Sequence, residues 1–415
     1  MNKKKLFKQV LAMFALFMTF AVSTETQAVP AFARQTGMAC AACHYQTYPA
    51  INAFGRAFKS AGFTLIGAQE QVKGVDLGLP VVLNGSLVTK FRYQKTNGAA
   101  TTGGAGATNT GELQFPDEAA LLIGGRAGEH VGFLLELGTF GEADTKSGEF
   151  SLFGSFKMPF SYKLGGTNLS FIPFITDAGG AGYGFELLNT GAQRFQRVGE
   201  DRRALMAQQY LGLGAGKAEG FAFVAANEMG FVNVSLWAPK HGSFAVKQLA
   251  PYMRVAWTPS FGGWDTGLGV QYYSGKARER DTTTGLNVDH VTKGWAIDGQ
   301  LQGAVGGMPL GVYAAYGETP RNTVFNSSLT ADKKAWSIHM QLGVLPKATL
   351  LLGYLSANTG AATQNKDNAL TLGGTYLLAQ NVQLQLNHAM FSGSKYDAVQ
   401  AAGDQRTTLM LFSAF

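Results

Sequence analysis

The sequence predicts an all-β fold, a closed antiparallel barrel of about sixteen strands, preceded by a small helical segment that carries both cysteines. Three observations predict it. The composition, with 54 Gly, 29 Phe, 14 Tyr and only 15% charged residues, suits strands that tilt and bend rather than helices, because glycine destabilises a helix interior. Beyond the first 28 residues no stretch approaches 18 uninterrupted apolar residues, so if the chain meets a bilayer only a closed barrel can cross it. Finally, most of the chain alternates apolar and polar residues with a period of two.

The elements follow in order. Residues 1–28 begin Met1-Asn-Lys-Lys-Lys-Leu-Phe-Lys, continue through an apolar run from Val10 to about Val22, and end in Thr26-Gln27-Ala28. That is the three-part layout of an export signal, with cleavage expected after Ala28. The leader carries four of the 34 basic and one of the 27 acidic residues, leaving 30 against 26. This near balance, with no basic-aromatic patch, excludes a nucleic-acid binder.

Residues 29–78 hold both cysteines and are too few to build an independent core. Within them, Pro49 to Phe63 places Ile51, Phe54, Phe58 and Ala61 at helical spacing, with Pro49 near the start and Gly62 near the end. One short amphipathic helix is expected there.

Residues 79–415 read as the barrel. In Leu83 to Tyr93, Leu83, Leu87, Phe91 and Tyr93 are expected to face lipid, opposite Asn84, Ser86, Lys90 and Arg92. The pattern returns in Val131–Leu137, Trp336–Leu342 and Val382–Asn387, and about 16 to 18 such segments can be counted, each long enough to cross an outer membrane when tilted. Short links such as Gly128–His130 and Ala379–Asn381 are interleaved with long polar ones at 95–111, 276–293, 320–333 and 359–367. The last segment, Arg406 to Phe415, closes on an aromatic residue. Together these predict an outer-membrane location in a Gram-negative cell.

Cys40-Ala41-Ala42-Cys43-His44 has the C-x-x-C-H spacing of c-type haem attachment. Two thiols so placed bond the two vinyl groups of one porphyrin, and the next residue then supplies an axial iron ligand. A redox dithiol would want a thioredoxin-like βαβ frame, and a zinc site would want two further ligands, yet the chain has no other cysteine. One covalent haem c is therefore expected on Cys40 and Cys43, with His44 as proximal ligand. Met38 is too close in sequence to reach the far face of a porphyrin. Strand parity points His339, Met410 and His130 into the lumen, making His339 and Met410 the distal-ligand candidates, and puts His388 with the lipid-facing set. An open or water-bound sixth position is the alternative.

Ala31-Phe-Ala-Arg-Gln-Thr-Gly-Met-Ala-Cys-Ala-Ala-Cys-His44, followed by Pro49-Ala-Ile-Asn-Ala-Phe-Gly-Arg-Ala-Phe-Lys59, closely resembles the N-terminus of the fused monohaem cytochrome-porins of the outer membrane. Over the barrel the resemblance rests on length, pattern and the terminal phenylalanine. It implies a barrel of about sixteen strands with the haem segment plugging the lumen, an Fe(II)-oxidising oxidoreductase, and a periplasmic cytochrome or similar carrier as electron acceptor. Only Cys40, Cys43 and His44 carry over, and no Fe(II) site does. Acidic residues of expected outer loops, Glu142, Asp144, Asp281 and Asp367, can attract a cation or simply be solvated. The rival expectations are a cytochrome-porin with another extracellular donor, a solute porin with a haem-bearing plug, and a soluble exported cytochrome with a β-rich binding domain.

Overall fold

The computed structural model describes residues 30–46, 48–67, 69–74, 78–98, 109–140, 153–191, 206–240, 246–281, 284–379, 381–397 and 403–415. The expected leader, Glu142 and Asp144 lie outside the described residues. Three helices come first: α1 (Pro30–Thr36), α2 (Cys40–Cys43) and α3 (Ala53–Ser60). The strands that follow are β1 (Gly85–Thr96), β2 (Glu112–Arg126), β3 (Gly132–Phe140), β4 (Phe153–Lys157 and Phe160–Leu164), β5 (Thr167–Thr176), β6 (Ala218–Asn227), β7 (Gly230–Ala238) and β8 (Ala250–Trp257 and Ser260–Phe261). They continue with β9 (Trp264–Tyr273), β10 (Gly294–Val305), β11 (Met308–Thr319), β12 (Lys333–Leu345), β13 (Ala348–Asn358), β14 (Lys366–Ala379), β15 (Val382–Ser392) and β16 (Gln405–Ala414).

These sixteen strands form one closed antiparallel barrel. The seam is β16 on β1, with Arg406 opposite Thr96 and Ala414 opposite Val88. Two strands are interrupted, at Met158-Pro159 in β4 and Thr258-Pro259 in β8, because proline has no N–H to give the ladder. Register survives both breaks: Ser155 faces Thr176 and Phe160 faces Phe171 on β5. In the same way, Trp257 faces Leu268 and Ser260 faces Asp265 on β9.

Alternation sets the two faces. Along β8, Met253, Val255 and Trp257 are 44%, 40% and 53% exposed, whereas Tyr252, Arg254 and Ala256 between them are buried. Along β15, Gln383, Gln385, Asn387 and Ala389 turn inward. On β1, Leu87 and Tyr93 point outward, and Ser86, Lys90 and Arg92 inward, as the pattern predicts. Each aliphatic side chain left in water forgoes about 1.5–3 kcal/mol, so a belt of them around a closed barrel is a lipid-facing surface.

The ends differ. Turns of two to five residues join β2–β3, β4–β5, β6–β7, β8–β9, β10–β11, β12–β13 and β14–β15. Gly262-Gly263, with φ of +57° and +82°, is one of the tightest, in a conformation that two non-glycine residues would resist. The other ends of these strands lie at the opposite mouth. One connection there was expected as a plain polar loop, 276–293, but Lys276–Arg280 and Asn287–Val291 pair as a hairpin and join Val246–Gln248 in a three-stranded sheet. Its Lys276 and Arg278 side chains grip Asp289 at 2.6 and 2.5 Å.

Candidate functional site

The segment from Pro30 to Gly67 lies inside the barrel at the short-turn mouth. Arg56 forms a two-pronged ion pair with Asp265 of β9 at 2.7 and 2.5 Å. Tyr45 donates to the carbonyls of Gly303 and Leu310, which flank the β10–β11 turn, and Tyr48 stacks on Phe412 of β16 at 5.0 Å. Gln35 donates to the Phe63 and Leu65 carbonyls and accepts from Arg126 N. The expected helix forms as α3, shorter than its apolar spacing, because Asn52 caps it by accepting from Gly55 N at 2.9 Å. Its buried face is Gly55, Arg56, Phe58 and Ser60, while Phe54 is exposed. No capping signal marked α1, a helix absent from the sequence expectation.

From the opposite mouth the long connection after β5 folds inward. Glu186 to Thr190 are buried, and Arg254 of β8 holds this segment through Glu186 at 2.8 Å and Asp298 of β10 at 2.5 Å. Asn189 accepts from Ile51 N and donates to Ile51 O at 2.8 and 2.9 Å, so loop and plug meet inside the lumen. Nothing in the alternation pattern distinguishes a connection that enters the barrel from one that leaves it.

Between them is a cavity of about 290 Å³. Cys43, His44, Ile51, Gly55 and Phe58 form its floor, Val88, Leu122, Leu134 and Phe412 part of its wall, and Tyr183 and Leu188 its roof. Cys40 and Cys43 are half-buried and unbonded at the two ends of α2. Cys43 faces the cavity, with Cys40 one helical turn back. Burial pushes the Cys40 thiol up to about 12 and raises Cys43 as well, the reverse of the depressed thiols of exchange-active dithiols.

His44 Nδ1 lies 3.1 Å from the Ala50 carbonyl oxygen. With Nδ1–H donating there, Nε2 keeps its lone pair, and burial lowers the pKa so that the neutral ring is favoured. The ring lines the cavity. Gly55 allows the close approach of α3 to α2, since a Cβ at that position would stand 2.3 Å from the Cys43 carbonyl oxygen. Asn52 Nδ2 also donates to the Ala42 carbonyl at 3.0 Å. Two thiols, a free imidazole nitrogen and an apolar wall are the set that would hold a covalently attached porphyrin.

His339 and Met410 face the lumen as strand parity predicts, both buried, yet neither lines this cavity. Met410 packs with Val88, Phe412 and Tyr48. Met38 is 36% exposed and is also absent from the lining. His130 departs from expectation: it is exposed on the β2–β3 turn and stacks on Tyr162, an outward residue, at 4.5 Å. His388 stays with the outward set, bonded to Thr407. Asp367 is not a solvated loop carboxylate; it is buried and held by Tyr210, Lys395 and Tyr396. Among the described residues no three His, Cys, Asp or Glu side chains converge as a metal-ion site.

No protein-family model matches the chain, and no curated protein matches it. Among solved structures, the outer membrane channel DcaP of Acinetobacter baumannii aligns with a TM-score of 0.49 at 11% identity, over 84% of this chain and 100% of that one. The outer-membrane expressed OmpT of Vibrio cholerae aligns at 0.48 and 12%, over 83% and 100%. The outer membrane protein opdK from Pseudomonas aeruginosa aligns at 0.42 and 11%, over 80% and 98%. Strand pairing and the lipid-facing belt carry the assignment. The chain is an outer-membrane β-barrel. Its lumen is entered from both mouths by its own polypeptide.

Proposed function

We propose that the barrel is an electron conduit, in which extracellular Fe(II) gives an electron to a single c-type haem on Cys40, Cys43 and His44, and a periplasmic carrier collects it. One observation carries the reading: the C-x-x-C-H segment is folded inside a membrane-spanning barrel, with Cys43 and His44 facing a lumenal cavity lined largely by apolar side chains. A haem bound there supplies a one-electron centre. The Ala50 carbonyl orients His44 and leaves Nε2 for iron. Asn52 ties the chain on either side of the motif by bonding Ala42 O and capping α3. Leu188 and Asn189 of the inward connection cover the cavity, so that electrons pass where bulky solutes do not. No proton transfer or covalent substrate intermediate is needed for this electron transfer.

The test uses purified protein in sealed vesicles, with Fe(II) added outside while the reduced-haem bands are watched. Rapid reduction, lost in a His44→Ala variant that still inserts, is expected. A haem that stays oxidised with Fe(II) yet reduces with dithionite would refute iron as donor and return the question to another donor. Fast solute flux through the same vesicles would favour the solute porin with a plug.

A further inference from the structure

Lys59, Lys90 and Lys157 border the cavity beside Cys43 and His44, together with Glu118, Glu136, Asp177 and Glu186, and among the described residues only Lys90 is in an ion pair. Lys90 of β1 pairs with Glu118 at 2.8 Å. Lys157 of β4 is buried, but its Nζ donates to the Tyr183 carbonyl at 3.0 Å and lies 4.3 Å over that ring. Lys59 of α3 is half-buried and lines the same cavity. Among the described residues neither Lys59 nor Lys157 forms an ion pair, and the carboxylate that attracts Lys59, Glu186, is already held by Arg254.

A buried ammonium without an anion is strongly disfavoured. Burial pushes the Lys59 amine down to about 8. Two such groups lining one cavity, one from the plug and one from the barrel wall, make a receptor for a paired anion. A haem c carries that pair as its two propionates, on the macrocycle edge away from the thioether bonds. We infer that Lys59 and Lys157 receive the two haem propionates, fixing the porphyrin to plug and barrel together while Cys40 and Cys43 fix it to the plug alone. This inference rests on the haem reading above.

The test is redox titration of the full-length protein in detergent, with Lys59→Met, Lys157→Met, the double variant and the two Lys→Arg variants. Covalent haem content, read by pyridine haemochrome, should stay at the unsubstituted level because the thioether bonds are untouched. The haem reduction potential should fall in each Met variant and further in the double variant, because losing a nearby cation disfavours the added electron. It should also become pH-dependent as unpaired propionates take up protons, and the Arg variants should recover the original potential. A double variant with full haem content and an unchanged potential at every pH overturns the inference. A chain that never attaches haem, even unsubstituted, overturns instead the reading on which it rests.

Discussion

Replacing Arg254 by methionine would strand two carboxylates inside the lumen. The guanidinium is fully buried and bonds Glu186 at 2.8 and 3.3 Å and Asp298 at 2.5 and 2.9 Å. Removing one partner of a buried ion cluster costs about 3–5 kcal/mol. Here the lower end applies, because Glu186 keeps the Leu187 and Leu188 backbone donors and Asp298 keeps the Thr190 hydroxyl. Glu186 gains bulk water when its segment leaves the lumen, so the cost falls on loop closure. About 3 kcal/mol shifts that equilibrium roughly a hundredfold toward the open form. Planar-bilayer recording should then show larger and more frequent conductance steps than the unsubstituted barrel, and hydrogen exchange should show lost protection at 186–190. Unchanged conductance together with unchanged protection would refute the idea that this cluster latches the loop.

Further outcomes follow from the plug. Gly55→Ala puts a methyl 2.3 Å from the Cys43 carbonyl oxygen, so α2 and α3 must separate at a cost of about 1–3 kcal/mol; covalent haem yield should drop while the barrel still shows its heat-modifiable gel shift. Asn52→Ala removes a cap worth about 1 kcal/mol and the bond to Ala42, and should lower the haem-to-protein ratio less than Gly55→Ala does. For Lys59, the folded pKa of about 8 lies below the ordinary 10.5, so between these values the unfolded chain binds more protons. In a haem-free Cys40→Ala/Cys43→Ala protein, stability should therefore rise from about pH 8 to 10.5, with the penalty fully present below 8. Urea midpoints across that range would show the slope, and Lys59→Met should flatten it.

The two-residue period made most of the barrel legible, because a strand between lipid and a polar lumen must alternate. It assigned the two faces of β1 and marked β15. Parity also placed His339 and Met410 on the inner face. It could not give their height relative to His44, which depends on remote contacts such as Arg56 with Asp265, 209 residues apart. His130 failed because a turn residue is not bound by strand parity. The C-x-x-C-H spacing singled out Cys43 and His44, but Lys59 and Lys157 carry no signal of their own; they become notable only when plug and wall face each other. Local sequence says nothing of Glu186 and Arg254 meeting across 68 positions.

The plug is N-terminal, yet the barrel is sealed by its last strand, β16 against β1. The plug rests on that closing strand, so docking of the plug and zipping of the seam stabilise each other. Tyr48, stacked on Phe412 of the closing strand, joins the two events. Any group bonded to Cys40 and Cys43 sits in the segment that braces the seam. A plug that folds poorly without that group should therefore leave the β1–β16 seam easier to open.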